Sequence, residues 1–86
     1  MGNSMGNSKS IESSYITLTL IQKNINEKIS GFVDNKLEIN VVEGTLVKTA
    51  LEDFNKFRRP NNKIYCVDIA DYEKIINKNI FVYIIL

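Results

Sequence analysis

The stretch LEINVVEGTLVKTALEDF, residues 37–54, places a strand, a break and a helix in direct succession. Between Leu37 and Val41 every second residue is apolar, and this period of two predicts a strand with one buried face. Gly44 then breaks the strand, and Thr45 is a favourable residue to cap the N-terminus of a helix. After Thr45 the apolar residues recur at helical spacing: Val47, Ala50, Leu51, Phe54 and Phe57.

Upstream of this stretch, residues 15–22 also alternate, with Ile16, Leu18 and Leu20 on one side. Two alternating segments of this kind predict an antiparallel hairpin, whose second strand covers residues 36–43. The intervening residues 23–35 combine turn-forming residues with apolar ones. They therefore predict either an extended hairpin arm or a mobile loop.

Downstream, Pro60 ends the predicted helix. Residues 63–68 predict a short strand, and residues 69–79 predict a turn that includes one helical turn. The continuous apolar run Ile80–Leu86 is typical of a central strand, and we expect it beside the first strand. The predicted core between sheet and helix is Leu18, Leu20, Leu37, Ile39, Val41, Leu51, Phe54, Val82 and Ile84.

The 86 residues are enough for one domain. Residues 1–14 are almost wholly polar and predict a flexible N-terminal tail, and residues 15–86 predict the folded domain. The sole cysteine, Cys66, excludes an internal disulfide and fits a reduced, cytoplasmic setting. We interpret it as an inert core thiol. The longest apolar run is too short to cross a bilayer.

The composition argues against an enzyme. The chain contains no histidine, which removes Ser-His and Cys-His nucleophile pairs and the usual zinc sites. It also lacks a glycine-rich phosphate loop, so we expect no metal and no cofactor. A net charge of +1 is too small to favour a nucleic-acid partner, and nothing in the pattern predicts an oligomer, so we expect a monomer.

The N-terminal residues MGNSMGNSKS repeat the letters MGNS. Read from Met5, the second copy fits the pattern for N-terminal myristoylation, with Gly6 as the acceptor and Ser10 at the favoured hydroxyl position. The first copy does not fit. The stretch is therefore a lipid signal that starts late, a cloning scar ahead of one, or an unmodified polar tail.

Basic residues form two groups along the chain. Residues 54–67 contain no acid but include Lys56, Arg58, Arg59 and Lys63. Such residues complement the helix macrodipole, or they form a binding patch. The second group lies in residues 23–35, where cations adjoin apolar residues that could enter a lipid interface: Lys23, Ile25, Lys28, Ile29 and Phe32. Both groups are candidates for binding acidic membrane lipids.

The order of predicted elements resembles the ubiquitin-like β-grasp superfamily. The segment LEINVVEGTLVKTALEDF is similar to the second strand and helix of such domains, and ADYEKIINKNIFVYIIL is similar to their closing section. The resemblance covers residues 15–86. It implies an α+β fold in which one helix packs across a mixed sheet of four to five strands.

Within that superfamily the layout is most like Ras-binding domains, and it also resembles the GTPase-binding region at the N-terminus of formin-like cytoskeletal proteins. Those domains offer the edge of their second strand and nearby basic residues to a small GTPase. By position, the resemblance implies Lys36 and Lys48 as GTPase-binding candidates, with Lys23 and Lys28 as further ones.

The sequence thus predicts a non-enzymatic ubiquitin-like domain of a larger cytoplasmic signalling or cytoskeletal protein. It would localise that protein, at the periphery of the plasma membrane for example, through a small GTPase, acidic lipid or both. The alternative is a ubiquitin-like modifier or sulfur carrier. These proteins need a C-terminal Gly-Gly, whereas this chain ends in Ile84-Ile85-Leu86.

Overall fold

Two long strands, β1 (Tyr15–Gln22) and β2 (Lys36–Val42), form the predicted antiparallel hairpin in the computed structural model, which describes residues 14–86. Leu18 and Leu20 of β1 are fully buried, while Thr17 and Thr19, which alternate with them, face the other side of the sheet. The alternation in the sequence therefore sets which face of the hairpin packs against the helix.

The last strand, β6 (Ile80–Ile85), lies between β1 and the short strand β4 (Tyr65–Cys66), as predicted for the apolar run. It runs parallel to β1 and antiparallel to β4, which gives a mixed sheet with the order β2-β1-β6-β4. Its inward residues are buried, but Phe81 and Tyr83 on the other face are about half exposed. Within residues 14–86, only one face of the sheet is covered by other elements.

The start of the helix departs from the prediction. Thr45 and Leu46 form a short strand, β3, that pairs with β5 (Ile75–Ile76) in a second, two-stranded sheet. The hydroxyl of Thr45 donates to the carbonyl oxygen of Val42 at 2.6 Å, so it does not cap a helix. Pairing with a distant strand outweighs the local capping preference, and helix α1 covers Val47–Asn55.

The end of α1 also departs from the prediction. The amide N–H of Arg58 donates to the carbonyl oxygen of Asn55 at 3.0 Å. This bond spans three residues, as in a 3₁₀ turn, and not the four of an α-helix. Asn55 then bonds Ile64 through both its side-chain oxygen and its nitrogen. Phe57 therefore lies beyond the helix and is 92% exposed, so its assignment to the apolar helical face is wrong.

One core fills the space between α1 and the sheet. Of the predicted core residues, Leu37, Ile39 and Phe54 are only half-buried. The remaining ones are buried as predicted. The connection from Ile69 to Glu73 is a 3₁₀ turn, which confirms the predicted helical turn there, and a second 3₁₀ turn covers Pro60–Asn62. The buried residues are Leu18, Leu20, Ile29, Val41, Val47, Ala50, Leu51, Ile64, Cys66, Ile76, Val82 and Ile84.

The connection between β1 and β2 is an ordered loop. Its last turn places Asp34 and Asn35 at φ values of 55° and 69°, a left-handed conformation that these two residue types tolerate better than most. The buried side chain of Gln22 holds the start of the loop, because its Nε2 donates to the carbonyl oxygens of Asn24 and Glu27. Ile29 and Phe32 pack onto the core.

Candidate functional site

Strand direction brings the two basic groups of the sequence to the same end of the molecule. Residues 23–35 follow the end of β1, and α1 runs from the opposite end, where the amide of Val47 bonds Lys74, back toward that loop. The chain leaving α1 therefore meets the loop. We call residues 23–35 together with residues 56–63 the basic pole.

Arg58 joins the two halves of the basic pole. Its Nε donates to the carbonyl oxygen of Asn62 at 2.7 Å, and its Nη1 donates to that of Ser30 at 3.2 Å. The guanidinium also lies 4.8 Å from the ring centre of Phe54. Burial lowers the pKa of Arg58. Arg58 Nη2 and Glu27 Oε1 are both buried and find no hydrogen-bond partner within residues 14–86.

The other basic side chains of the pole point outward. Lys23, Lys28, Lys56 and Arg59 are exposed, and Lys63 is half-buried. The acids within the pole are Glu27 and Asp34, both in the loop, so cations outnumber acids at this end. The Asp71 carboxylate, which pairs with Lys74 at 2.9 Å, lies outside the pole. The pole therefore carries a local positive charge that the near-neutral total does not reveal.

The apolar residues of the basic pole differ from the predicted set. Ile29 is 5% exposed and Phe32 is half-buried against the core, so neither presents a free apolar side chain in this structure, and their contact with lipid stays a prediction. Ile25, by contrast, is 67% exposed, and Phe57, which is 92% exposed, is an aromatic residue of the pole that the predicted set did not include. Its position inside the run Lys56–Arg59 was the available signal.

The two residues assigned to GTPase binding lie on different surfaces. Lys36 is exposed at the start of β2. Lys48 instead lines a groove of about 580 Å³ on the opposite flank of α1, with Tyr72 and Glu73. The flank of α1 that faces β2 presents Asp53. The structure does not bring Lys36 and Lys48 together.

Cys66 has the environment of an inert thiol. Its side chain is 6% exposed, and its amide N–H donates to the hydroxyl of Tyr72 at 2.9 Å. Burial, aided by the carboxylates of Asp71 and Asp68, raises the pKa of the thiol from 9.0 to about 11. Little thiolate forms at neutral pH, so Cys66 is a poor nucleophile.

Gly6, the candidate for lipidation, lies outside the described residues, so its modification stays a prediction. Among residues 14–86, no helix is long and apolar enough to cross a membrane. Across those same residues, no cluster of acidic and cysteine side chains could hold a metal ion.

Comparisons with protein-family models, with curated proteins and with solved structures find no match for this chain. Its function has to be inferred from the surfaces that its own residues form. The basic pole is the surface that concentrates most of the predicted site residues in one place.

Proposed function

We propose that residues 15–86 form a ubiquitin-like β-grasp interaction domain that holds a larger cytoplasmic signalling or cytoskeletal protein on acidic membranes. The observation that carries this proposal is the position of Phe57. An aromatic ring that is 92% exposed stands between Lys56 and Arg58 at the basic pole, with the exposed Ile25 on the adjoining loop. Exposed apolar residues ringed by cations are what a membrane-surface site requires.

The strand order supports the β-grasp part of the proposal. A hairpin, then one helix across the sheet, then a final strand parallel to β1 in the middle of the sheet is the layout that the sequence resemblance implies. The additional pair β3–β5 closes the end of the molecule opposite the basic pole.

Acidic lipid is the better-supported of the two predicted partners. A GTPase surface built on both Lys36 and Lys48 would have to reach two flanks of the domain at once. A membrane is a broad, anionic plane, and it can contact the loop and the segment after α1 together. Myristate on Gly6 would add a second, weak anchor, because a single acyl chain binds membranes only marginally.

The expected contributions of these side chains to binding free energy are large enough for reversible membrane binding. Each lysine or arginine near an anionic surface contributes about 1 kcal/mol. Burying the exposed part of a phenylalanine side chain contributes about 1.5–3 kcal/mol. Lys56, Arg59 and Phe57 are close in sequence and all exposed, so they can act together.

The test is co-sedimentation of the unmodified chain with phosphatidylcholine vesicles, with and without phosphatidylserine. We expect retention on the acidic vesicles only, and a steep loss of retention as salt rises, because surface attraction decays over about 8 Å at physiological ionic strength. Equal retention on both vesicles, or none on either, would contradict the proposal.

Variants separate charge from insertion. Replacing Lys56 and Arg59 by Ala should cost about 2 kcal/mol, roughly a thirtyfold loss of affinity, and should flatten the salt dependence. Replacing Phe57 by Ser should weaken binding equally at all salt concentrations, since the lost contact is apolar. The matched controls are Lys48→Ala and Tyr15→Ser, exposed residues outside the basic pole, and neither should change retention.

A further inference from the structure

Two side chains of the basic pole carry opposite charges and, among residues 14–86, neither of them is ion-paired. Glu27 Oε1 is a buried acceptor and Arg58 Nη2 is a buried donor, and both lack a hydrogen-bond partner in that same range. Buried charged groups are unfavourable without partners. A ligand that brings a partner to each of these two groups is therefore favoured at this place.

A polar pocket of about 760 Å³ lies where the loop of the basic pole meets Asn62. Glu27 forms part of its wall, beside Lys28. Ser30 and Asn62 also line the pocket, and their carbonyl oxygens accept from the guanidinium of Arg58 at 3.2 and 2.7 Å. The pocket thus has a carboxylate in its wall and a guanidinium directly behind it.

Glu27 can meet a ligand in this pocket with little rearrangement. The residue is half-buried, and its backbone is held independently of its carboxylate. Its amide N–H donates to the carbonyl oxygen of Asn24 at 3.1 Å, and its own carbonyl oxygen accepts from Gln22 Nε2 at 2.8 Å. The terminal torsion of a glutamate side chain is broad, so the carboxylate can turn while the loop keeps its shape. Lys28 is exposed on the same wall.

The ligand that suits this pocket carries a cation and an anion on one small group. The headgroup of phosphatidylserine has an ammonium, a carboxylate and a phosphate close together. Phosphatidylglycerol and phosphatidylinositol have neutral hydroxyls in place of the ammonium, and these lack the Coulomb attraction that an ammonium adds at a carboxylate. Phosphatidylethanolamine has the ammonium but no net charge, so the basic pole does not attract it.

We infer that the basic pole selects phosphatidylserine among acidic lipids. The ammonium of the headgroup pairs with Glu27, and its phosphate and carboxylate meet Lys28 and Arg58. The inference rests on the proposed membrane function, because it names the lipid that the same surface binds. A phosphoserine residue within a protein is not an equivalent ligand, since its nitrogen belongs to an uncharged peptide bond.

The test is a titration of the full, unmodified chain against phosphatidylcholine vesicles that contain phosphatidylserine, phosphatidylglycerol or phosphatidylinositol at the same mole fraction. The three acidic lipids have the same net charge, so the general attraction to the basic pole is the same for all of them. We expect the phosphatidylserine vesicles to bind about two- to fivefold more tightly, the size of an exposed ion pair.

Glu27→Gln should remove the preference for phosphatidylserine, because the neutral amide lacks the charge that holds an ammonium. Binding to phosphatidylglycerol should instead tighten slightly, since the pole loses a negative charge. The matched control is Asp34→Asn, which removes an equal charge from an exposed residue of the same pocket, where asparagine tolerates the left-handed backbone. Asp34→Asn should change binding to all three lipids alike and keep the preference. A melting curve on each variant separates lost binding from lost fold.

Glycerophosphoserine in solution separates the lipid from a soluble ligand with the same chemistry. It should compete only weakly with phosphatidylserine vesicles, because it lacks the rest of the anionic surface, and glycerophosphoglycerol should not compete. Tight binding of glycerophosphoserine without a preference among the vesicles would overturn the assignment to a lipid.

The remaining outcomes distinguish the inference from the function on which it rests. Equal binding to the three acidic vesicles would overturn the inference and leave the proposed function standing. Binding to none of them would contradict the proposed function, and the inference with it. A phosphatidylserine preference that survives Glu27→Gln, or that Asp34→Asn removes, would overturn the assignment of the ammonium to Glu27.

Discussion

At the basic pole, Phe57 and Ile25 stand among lysines and arginines. The outer edge of strand β2 instead carries Glu38 next to Lys36, and it lies beside an apolar groove. The pole is made of residues in loops and turns, outside the α-helix and the long strands. The outer edge of β2 belongs to a regular strand that, within residues 14–86, pairs with a neighbouring strand of the sheet on one side only. The pole presents exposed side chains, while the outer edge of β2 presents backbone groups.

The difference shows how an almost neutral chain can still carry charged surfaces. The net charge of +1 conceals cations gathered at one end and, among residues 14–86, carboxylates near β2 that form no ion pair. Charge placement, and not the total, decides which partners a small domain attracts.

The core that supports both regions should give the largest effect. The side chain of Leu20 is fully buried on the helix-facing side of the sheet. Leu20→Ala should lower the free energy of unfolding by about 2–5 kcal/mol, through lost burial and a residual cavity. Chemical denaturation measures the loss. Ile25→Ala at the exposed loop should change stability by less than about 0.5 kcal/mol. Similar losses for both variants would contradict the assignment of exposure at the pole.

Two phenylalanines three residues apart sharpen the comparison. Phe54 is half-buried against the core with Arg58 over its ring, so Phe54→Ala should cost about 1–3 kcal/mol of stability. Phe57→Ala should leave the denaturation curve almost unchanged and weaken only vesicle binding. A stability loss at Phe57 equal to that at Phe54 would mean that the helix continues past Asn55.

Arg58 tests whether the basic pole is one surface. Arg58→Lys keeps the charge but cannot reproduce the bonds to both Asn62 and Ser30, so it should cost about 1 kcal/mol. Hydrogen exchange should accelerate in residues 23–35 and stay unchanged in β2. Unchanged protection of the loop would mean that the two halves of the pole are independent.

The titration of Cys66, which lies in neither region, should give the smallest effect, and only above neutral pH. Because its pKa rises from 9.0 in the unfolded chain to about 11, the native state keeps a proton that the unfolded state releases between those values. Its contribution to stability is complete below about pH 9 and is lost as pH rises toward about 11. Denaturation of the parent chain and of Cys66→Ala across this range measures the difference between them.

Alkylation of the parent chain tests whether the Cys66 thiol is inert. Alkylation of native Cys66 at pH 8 should be slow compared with alkylation in denaturant, since the side chain is buried and protonated. The carboxylates that assist the shift, Asp71 and Asp68, belong to the 3₁₀ turn and its cap. Rapid alkylation of the folded chain would contradict the assignment of an inert core thiol.

Periodicity predicted the hairpin and the existence of the helix, and the continuous apolar run Ile80–Leu86 predicted the central final strand. Alternation from Tyr15 to Gln22 and from Lys36 to Val42 names the buried faces, because neighbouring side chains of a strand point to opposite sides. The basic groups were also visible as charge runs. The exposed or buried state of Ile29, Phe32 and Phe57 was not, since local pattern does not say where a helix stops or which loop folds inward.

Sequence by itself therefore determined the α+β class, the pairing of β1 with β2 and the residues able to carry positive charge. Tertiary structure decided that the two basic groups meet through Arg58, that Lys36 and Lys48 separate, and that Thr45 joins a strand. The physical reason is the separation along the sequence over which each kind of interaction acts. Side-chain periodicity acts between residues a few positions apart, whereas a bond such as that from Arg58 to Ser30 spans 28 residues and exists only once the core has closed.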